Sequence, residues 1–146
     1  MKTFDKGTNS FSGYEYTKFG RKPVNLRANI SYFLNFYISD KGKCDTLANN
    51  ILNSGYTCNG AKIDLDLLLH QTVHGGDFTV FYTRNDGNGG SEPVFVLILA
   101  VGHHITSNRY NIIAADSEVV SRSKTVTKGN GDKSSFLAEG TNDFYL

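Results

Sequence analysis

The stretch that decides the fold is Val94-Phe95-Val96-Leu97-Ile98-Leu99-Ala100-Val101, eight consecutive apolar residues. β-Branched residues and Phe95 suit a strand, and eight residues is strand length rather than helix length. A strand without a polar side is covered on both faces, so this segment is predicted to be the central strand of a sheet. It is also far shorter than the roughly 18 apolar residues that a bilayer span needs. Working outward, 78–83 and 110–115 are further strand candidates. Their connections to the central run are short, so the three strands are expected to be consecutive neighbours and antiparallel. Residues 102–108 read as a connection. Residues 84–91, with Gly87, Gly89 and Gly90 and no apolar anchor, read as a mobile loop.

Further out the pattern is mixed. Residues 28–39 carry Ile30, Tyr32, Phe33, Leu34, Phe36, Tyr37 and Ile38, which suits a strand buried on most of both faces. Ile30, Phe33, Leu34 and Tyr37 also share a helical face, so a helix stays open as the alternative. Residues 44–53 are the best helix candidate. Asp45 is placed to cap it, Leu47, Ala48, Ile51 and Leu52 form one face, and Asn53-Ser54-Gly55 stops it. Residues 61–73 fit either type. Ile63, Leu65, Leu67 and Leu69 alternate with Asp64 and Asp66, while Leu65, Leu68, Leu69 and Thr72 line up at helical spacing. Residues 119–127 read as an edge strand protected by Arg122 and Lys124, 128–135 as a polar loop, and 136–146 as a tail docking through Phe144, Tyr145 and Leu146.

The expected architecture is a single-domain α+β fold. Its sheet is mainly antiparallel, with five or six strands and one or two short helices. Residues 1–24 form an N-terminal arm, and 25–146 form the domain. The expected core is Phe33, Leu47, Ile51, Leu67, Leu69, Phe78, Val94, Val96, Ile98, Ile112 and Ile113. Composition agrees: 15 Gly and 14 Asn against 7 Ala and 4 Glu favour turns and strands over helix. The formal net charge of +1 over 146 residues argues against a strongly basic nucleic-acid module. Met1-Lys2-Thr3-Phe4-Asp5-Lys6 is not followed by the apolar run of a secretory signal, which leads us to expect a cytoplasmic protein or a delivered or processed fragment. Cys44 and Cys58 have thirteen residues between them, a spacing that permits a disulfide without requiring one.

All four histidines, His70, His74, His103 and His104, fall within one quarter of the chain. Two triplets stand out, His70-Gln71-Thr72 and His104-Ile105-Thr106. On a strand, residues i and i+2 share a face, so each triplet presents an imidazole and a hydroxyl together. The pair resembles the doubled His-x-Thr motif of the 2H phosphoesterases. That resemblance implies His70 and His104 as general acid and base, with Thr72 and Thr106 holding the phosphate. The triplets are 34 residues apart, closer than is usual in that family. Arg84 and Arg109 are the expected substrate-binding cations. The expected function is therefore His-dependent phosphodiester hydrolysis, as a ribonuclease or a 2H-phosphoesterase-like effector or toxin acting on RNA or a nucleotide. No cofactor and no catalytic metal are called for.

Three other readings compete. His70-Gln71-Thr72-Val73-His74 resembles the zincin HExxH motif, which implies a metal site if the segment is a helix. Gln71 replaces the glutamate base, so hydrolysis through that metal would lack its proton acceptor. Gly42-Lys43-Cys44 before a helix, with 110–116 as a later strand ending in Asp116, looks like the start of a papain-like core. Here Glu92-Pro93 stands where that family places its histidine. The remaining reading is a non-enzymatic binding or structural protein with a protein partner, in which the histidines are scattered and an exposed aromatic patch stands out.

Overall fold

The computed structural model describes residues 2–12, 14–17, 20–23, 25–54, 67–75, 77–85, 95–106, 108–121, 125–128, 133–135 and 143–145. The segment 94–101 appears as β7 (Phe95–Thr106), flanked by β6 (Phe78–Asn85) and β8 (Arg109–Asp116). All three are antiparallel neighbours in the expected order. β5 (Leu67–Val73) lies antiparallel against β6, which makes a strand of the described portion of 61–73. β1 (Lys2–Phe4) runs parallel to β8, and β9 (Thr125–Lys128) runs parallel to β5. β10 (Lys133–Ser135) extends β9, so seven strands lie in the order β1-β8-β7-β6-β5-β9-β10, more than the five or six expected. β2 (Ser10–Ser12) joins β7, and β11 (Asp143–Tyr145) joins β8. β3 (Tyr14–Thr17) and β4 (Gly20–Pro23) form a separate hairpin. The described residues before 24 thus contribute two strands to the large sheet and form a separate hairpin, with the single turn α1 (Lys6–Asn9) between β1 and β2.

Residues 28–39, expected as a strand, form the helix α2 (Leu26–Leu34) and a following turn. The Asn25 side chain accepts a hydrogen bond from the Ala28 N–H at 3.1 Å, which satisfies one of the free donors of the first turn. Ile30 and Leu34, one helical turn apart, are fully buried, whereas Tyr32 and Phe36 are both 71% exposed. That 3.6-residue periodicity overrides the strand preference of the aromatic side chains. α3 (Lys41–Asn53) is the second long helix. Its cap is Asp40, accepting from the Lys43 N–H, and not Asp45, which lies within the first turns.

α2 and α3 cover one face of the sheet. Ile30, Leu34, Cys44, Leu47, Ala48 and Ile51 pack there on Phe78, Val80, Tyr82, Val96, Ile98 and Ala114. The other face gathers Leu68, Phe81, Leu97, Leu99, Tyr110, Ile112, Val119 and Phe144. Both faces of β7 over residues 96–101, and of the β6 segment beside them, are therefore dry, as the unbroken apolar run requires. Of the expected core, Leu47, Ile51, Phe78, Val96, Ile98 and Ile112 are buried, and Phe33, Leu69 and Ile113 are partly buried against it. Val94 and the side chain of Leu67 lie outside the described residues, as do 86–91 of the expected mobile loop.

Two further segments differ from expectation. Residues 102–106 are not a connection: β7 continues through them, with His103 opposite Phe78 and His104 opposite Tyr110. The backbone N–H of His104 donates to the Asp77 carbonyl at 2.7 Å, extending the ladder beyond β6. Residues 117–121 are the short helix α4 (Ser117–Ser121), not an edge strand. The buried Asp116 carboxylate accepts from the backbone N–H groups of Glu118 and Val119, which turns the chain out of the sheet. Among the described residues, strand structure resumes at β9. Phe144 is fully buried, so the expected docking of 136–146 is met at β11.

Candidate active site

His70 projects from β5 on the face away from the helices, where it pairs across to Phe81. His104 projects from the far end of β7 on that same face. The two imidazoles meet on one buried side chain, Tyr110 of β8. His104 stacks on the Tyr110 ring with centroids 4.9 Å apart and planes 29° apart. His70 meets the same ring edge-on at 5.9 Å. β5 and β8 are separated by β6 and β7, a lateral distance of about 14 Å at normal strand spacing.

The electrostatics distinguish the two groups. His70 is exposed, yet Phe81 and Tyr110 lie against its ring, and that desolvation lowers its pKa below the ordinary histidine value. The nearby charge of His104 lowers it further. His104 is half-buried, and its Nε2 is buried with no hydrogen-bond partner among the described residues. A buried polar atom left open in this way has capacity for a ligand.

The lowered pKa has a consequence for stability. The fold keeps His70 neutral, while the unfolded chain takes up a proton near the ordinary value of 6.5. The unfolded state then binds more protons, so stability is complete above that value and is lost as pH falls through it. Urea midpoints of wild type and His70→Gln, followed from about pH 8 to about pH 5, are expected to converge or cross as the wild type loses more. Parallel curves would contradict this.

Thr72 lies on the same face as His70, and its hydroxyl shares a 2.8 Å hydrogen bond with Thr79. Thr106 follows His104 on β7 and is exposed. His70, Thr72 and His104 thus occupy one face, whereas Thr106 lies beyond a shift in the ladder and pairs with Arg109 rather than extending that face. The two arginines are elsewhere. Arg84 is at the other end of β6, on the helix side, where its guanidinium donates to the Ser54 carbonyl after α3. Arg109 precedes Tyr110 and so points to the opposite face of β8. There it pairs with Asp143 at 2.9 Å, and Asn111 donates to the same carboxylate. Those two hydrogen bonds, Asn111 first, hold the Asp143 carboxyl below its ordinary pKa.

The remaining histidines are separate. His103 lies edge-on to Phe78 at 5.8 Å, on the helix side. His74 is exposed in the turn between β5 and β6. The zinc reading of His70 and His74 depended on a helix. On β5 the i, i+4 spacing stretches to about 13 Å, too far for a shared ion. Among the described residues, no three His, Cys, Asp or Glu side chains gather as a metal site.

The papain-like resemblance also fails on geometry. Cys44 is a free, buried thiol that donates to the Ile38 carbonyl at 3.4 Å. Burial, then Asp40 and Asp45, push its pKa up, the reverse of nucleophile activation. Lys43 beside it reaches Gly75 at the near end of β6, whereas β7 begins opposite Asn85 at the far end. Cys58 lies outside the described residues.

Sequence reasoning overlooked Tyr110, because a buried aromatic on a strand reads as core. The available signal was its register: a two-residue connection at 107–108 places Tyr110 almost opposite His104. Among the described residues, no helix is long and apolar enough to cross a membrane. The chain matches no family model, no curated protein and no solved structure.

Proposed function

We propose that the chain cleaves phosphodiester bonds in RNA, with His70 as general base and His104 as general acid. The observation that carries this reading is the meeting of two imidazoles, 34 residues apart in sequence, on the single ring of Tyr110. Acid–base cleavage of RNA needs one neutral and one protonated group at the same phosphate. The lowered pKa of His70 supplies the neutral one near pH 7. In the reaction, His70 removes the proton from a ribose 2′-hydroxyl. The 2′-oxygen then forms a bond to the adjacent phosphorus, and the bond from phosphorus to the 5′-oxygen breaks. His104 gives its proton to that leaving oxygen. The products are a 2′,3′-cyclic phosphate and a 5′-hydroxyl, and atoms and charge balance without a cofactor. Thr72, beside His70, is the hydroxyl in position to contact a phosphate oxygen, and Thr106, paired with Arg109 beyond the shift in the ladder, has no role in this reading. Arg84 and Arg109 have no role in this reading, because both are engaged away from the pair.

The experiment is cleavage of single-stranded RNA by wild type, His70→Ala and His104→Ala, with DNA of the same sequence as control. Wild type is expected to cleave RNA and leave DNA intact, since DNA lacks the 2′-nucleophile. Each variant is expected to lose about a hundredfold or more. Wild type without cleavage, or variants that match it, would overturn the reading.

A second reading, binding without catalysis, draws on a different surface. Tyr32 of α2 and Phe36 in the turn after it, both 71% exposed, stand edge-to-face at 5.4 Å. Beside them is a cavity of about 200 Å³ lined by Arg27, Ser31, Tyr32, Asn35, Lys41 and Asp45. Arg27 and Lys41 there already pair with Asp45, so a protein partner with an apolar side chain for the two exposed rings would fit it. Loss of partner binding in Tyr32→Ser, with the histidine variants unaffected, would favour this reading.

A further inference from the structure

We infer that Tyr110 is the positioning residue of the histidine pair and that strand β11 holds it in place. This rests on reading the pair as the site, but it concerns how the two imidazoles are kept together rather than what they cleave.

Tyr110 is only 4% exposed, so it is shielded from any substrate and acts through its neighbours. Its ring is enclosed by four others. His104 stacks on it, His70 meets it edge-on, Phe81 lies edge-on at 5.1 Å, and Phe144 lies 6.5 Å away. The two histidines come from strands that are not adjacent in the sheet, and Tyr110 is a side chain that both touch. If this ring moved, each imidazole would lose the surface that sets its orientation.

The position of Tyr110 depends in turn on β11. One edge of β8 is shared by two strands. β1 takes Ala114, Ala115 and Asp116, and β11 takes Arg109, Tyr110 and Asn111. Tyr110 therefore sits in the half that only β11 covers. Phe144 lies directly opposite Tyr110 in the register, is fully buried, and also meets Phe81 edge-on at 5.4 Å. Asp143, next to it, accepts from Arg109 at 2.9 Å and from Asn111 at 3.3 Å. Those residues flank Tyr110 on either side, so one carboxylate fixes the backbone before and after the ring. Arg109, expected from sequence to bind substrate, thus serves the site from behind through its pair with Asp143.

The test reads the imidazoles themselves, through NMR pH titration of their carbon-bound protons, without any substrate. In the wild-type background, His104→Gln removes the neighbouring charge and is expected to raise the His70 pKa. In Tyr110→Leu, His70 is expected to titrate closer to an ordinary histidine, and His104→Gln is expected to shift it no further. Tyr110→Phe, which keeps the ring, should restore both behaviours. A folded Tyr110→Leu protein with wild-type titrations would overturn the inference, as would a Tyr110→Phe protein that behaves like Tyr110→Leu. Phe144→Leu keeps the interior filled and serves if Tyr110→Leu does not fold. It is expected to move the His70 titration in the same direction by less, and an unchanged titration would remove β11 from the account. Absence of RNA cleavage alongside these shifts would count against the proposed function and leave the positioning role standing.

Discussion

Gly102→Ala is expected to destabilise the protein by about 3 kcal/mol, the upper end for forcing extra volume into a packed interior. A Cβ at this position would collide with the carbonyl oxygen of Asn111 and lie 2.9 Å from the Cα of Ile112 and 3.0 Å from the carbonyl carbon of Asn111. All three atoms belong to the backbone of β8, so no side chain can swing aside. β7 and β8 must separate at the irregularity between Val101 and Gly102. A loss of this size is a large fraction of the 5–15 kcal/mol typical of a domain. The strands would move apart just before His104, so its contact with Tyr110 should loosen as well. Urea unfolding of Gly102→Ala against Gly7→Ala measures the effect. A Cβ added at Gly7 would meet nothing within 4 Å, so alanine there is expected to be neutral or slightly stabilising. Equal midpoints for the two variants would refute the steric argument.

How much of this could be read from the chain depends on whether the deciding contact is local. The 94–101 run identifies a strand by composition alone, and short connections leave its two neighbours few alternatives. The face shared by His70 and Thr72 follows from strand alternation once β5 is a strand. Residues 28–39 were harder, because Ile30, Phe33, Leu34 and Tyr37 satisfy a buried strand and a helix equally. The Asn25 cap and the packing of Ile30 and Leu34 beside α3 decide for helix. Asp116 shows the same limit, since its capping of α4 requires knowing that its side chain stays buried at the strand end.

The site divides in the same way. His70 and His104 are legible as a doubled motif, but their meeting point is a residue that periodicity assigns to the core. Arg109 looks available in sequence, yet its partner Asp143 is 34 positions away, on a strand whose register could not be foreseen. Arg84 lies near the end of β6, and only the placement of α3 shows that the Ser54 carbonyl claims it.

Phe144→Ala is expected to cost about 3–5 kcal/mol, the range for deleting a buried phenylalanine side chain. The ring is fully buried, with Phe81 and Tyr110 against it. Alanine would leave a void on the face that carries the histidines and would weaken the short pairing of β11 with β8. For a chain of 146 residues, a loss of this size corresponds to a fall in Tm of about 10 °C. Tyr32→Ala is the matched control. It also removes an aromatic ring, but one that is 71% exposed, and surface changes of that kind stay within about 0.5 kcal/mol. Calorimetry on both variants gives the comparison. If Phe144→Ala melts within a degree or two of wild type, β11 does not belong to the core, and the support it gives to Tyr110 fails with it. If it melts about 10 °C lower, the face carrying His70 and His104 depends for its shape on three residues paired along one edge of β8.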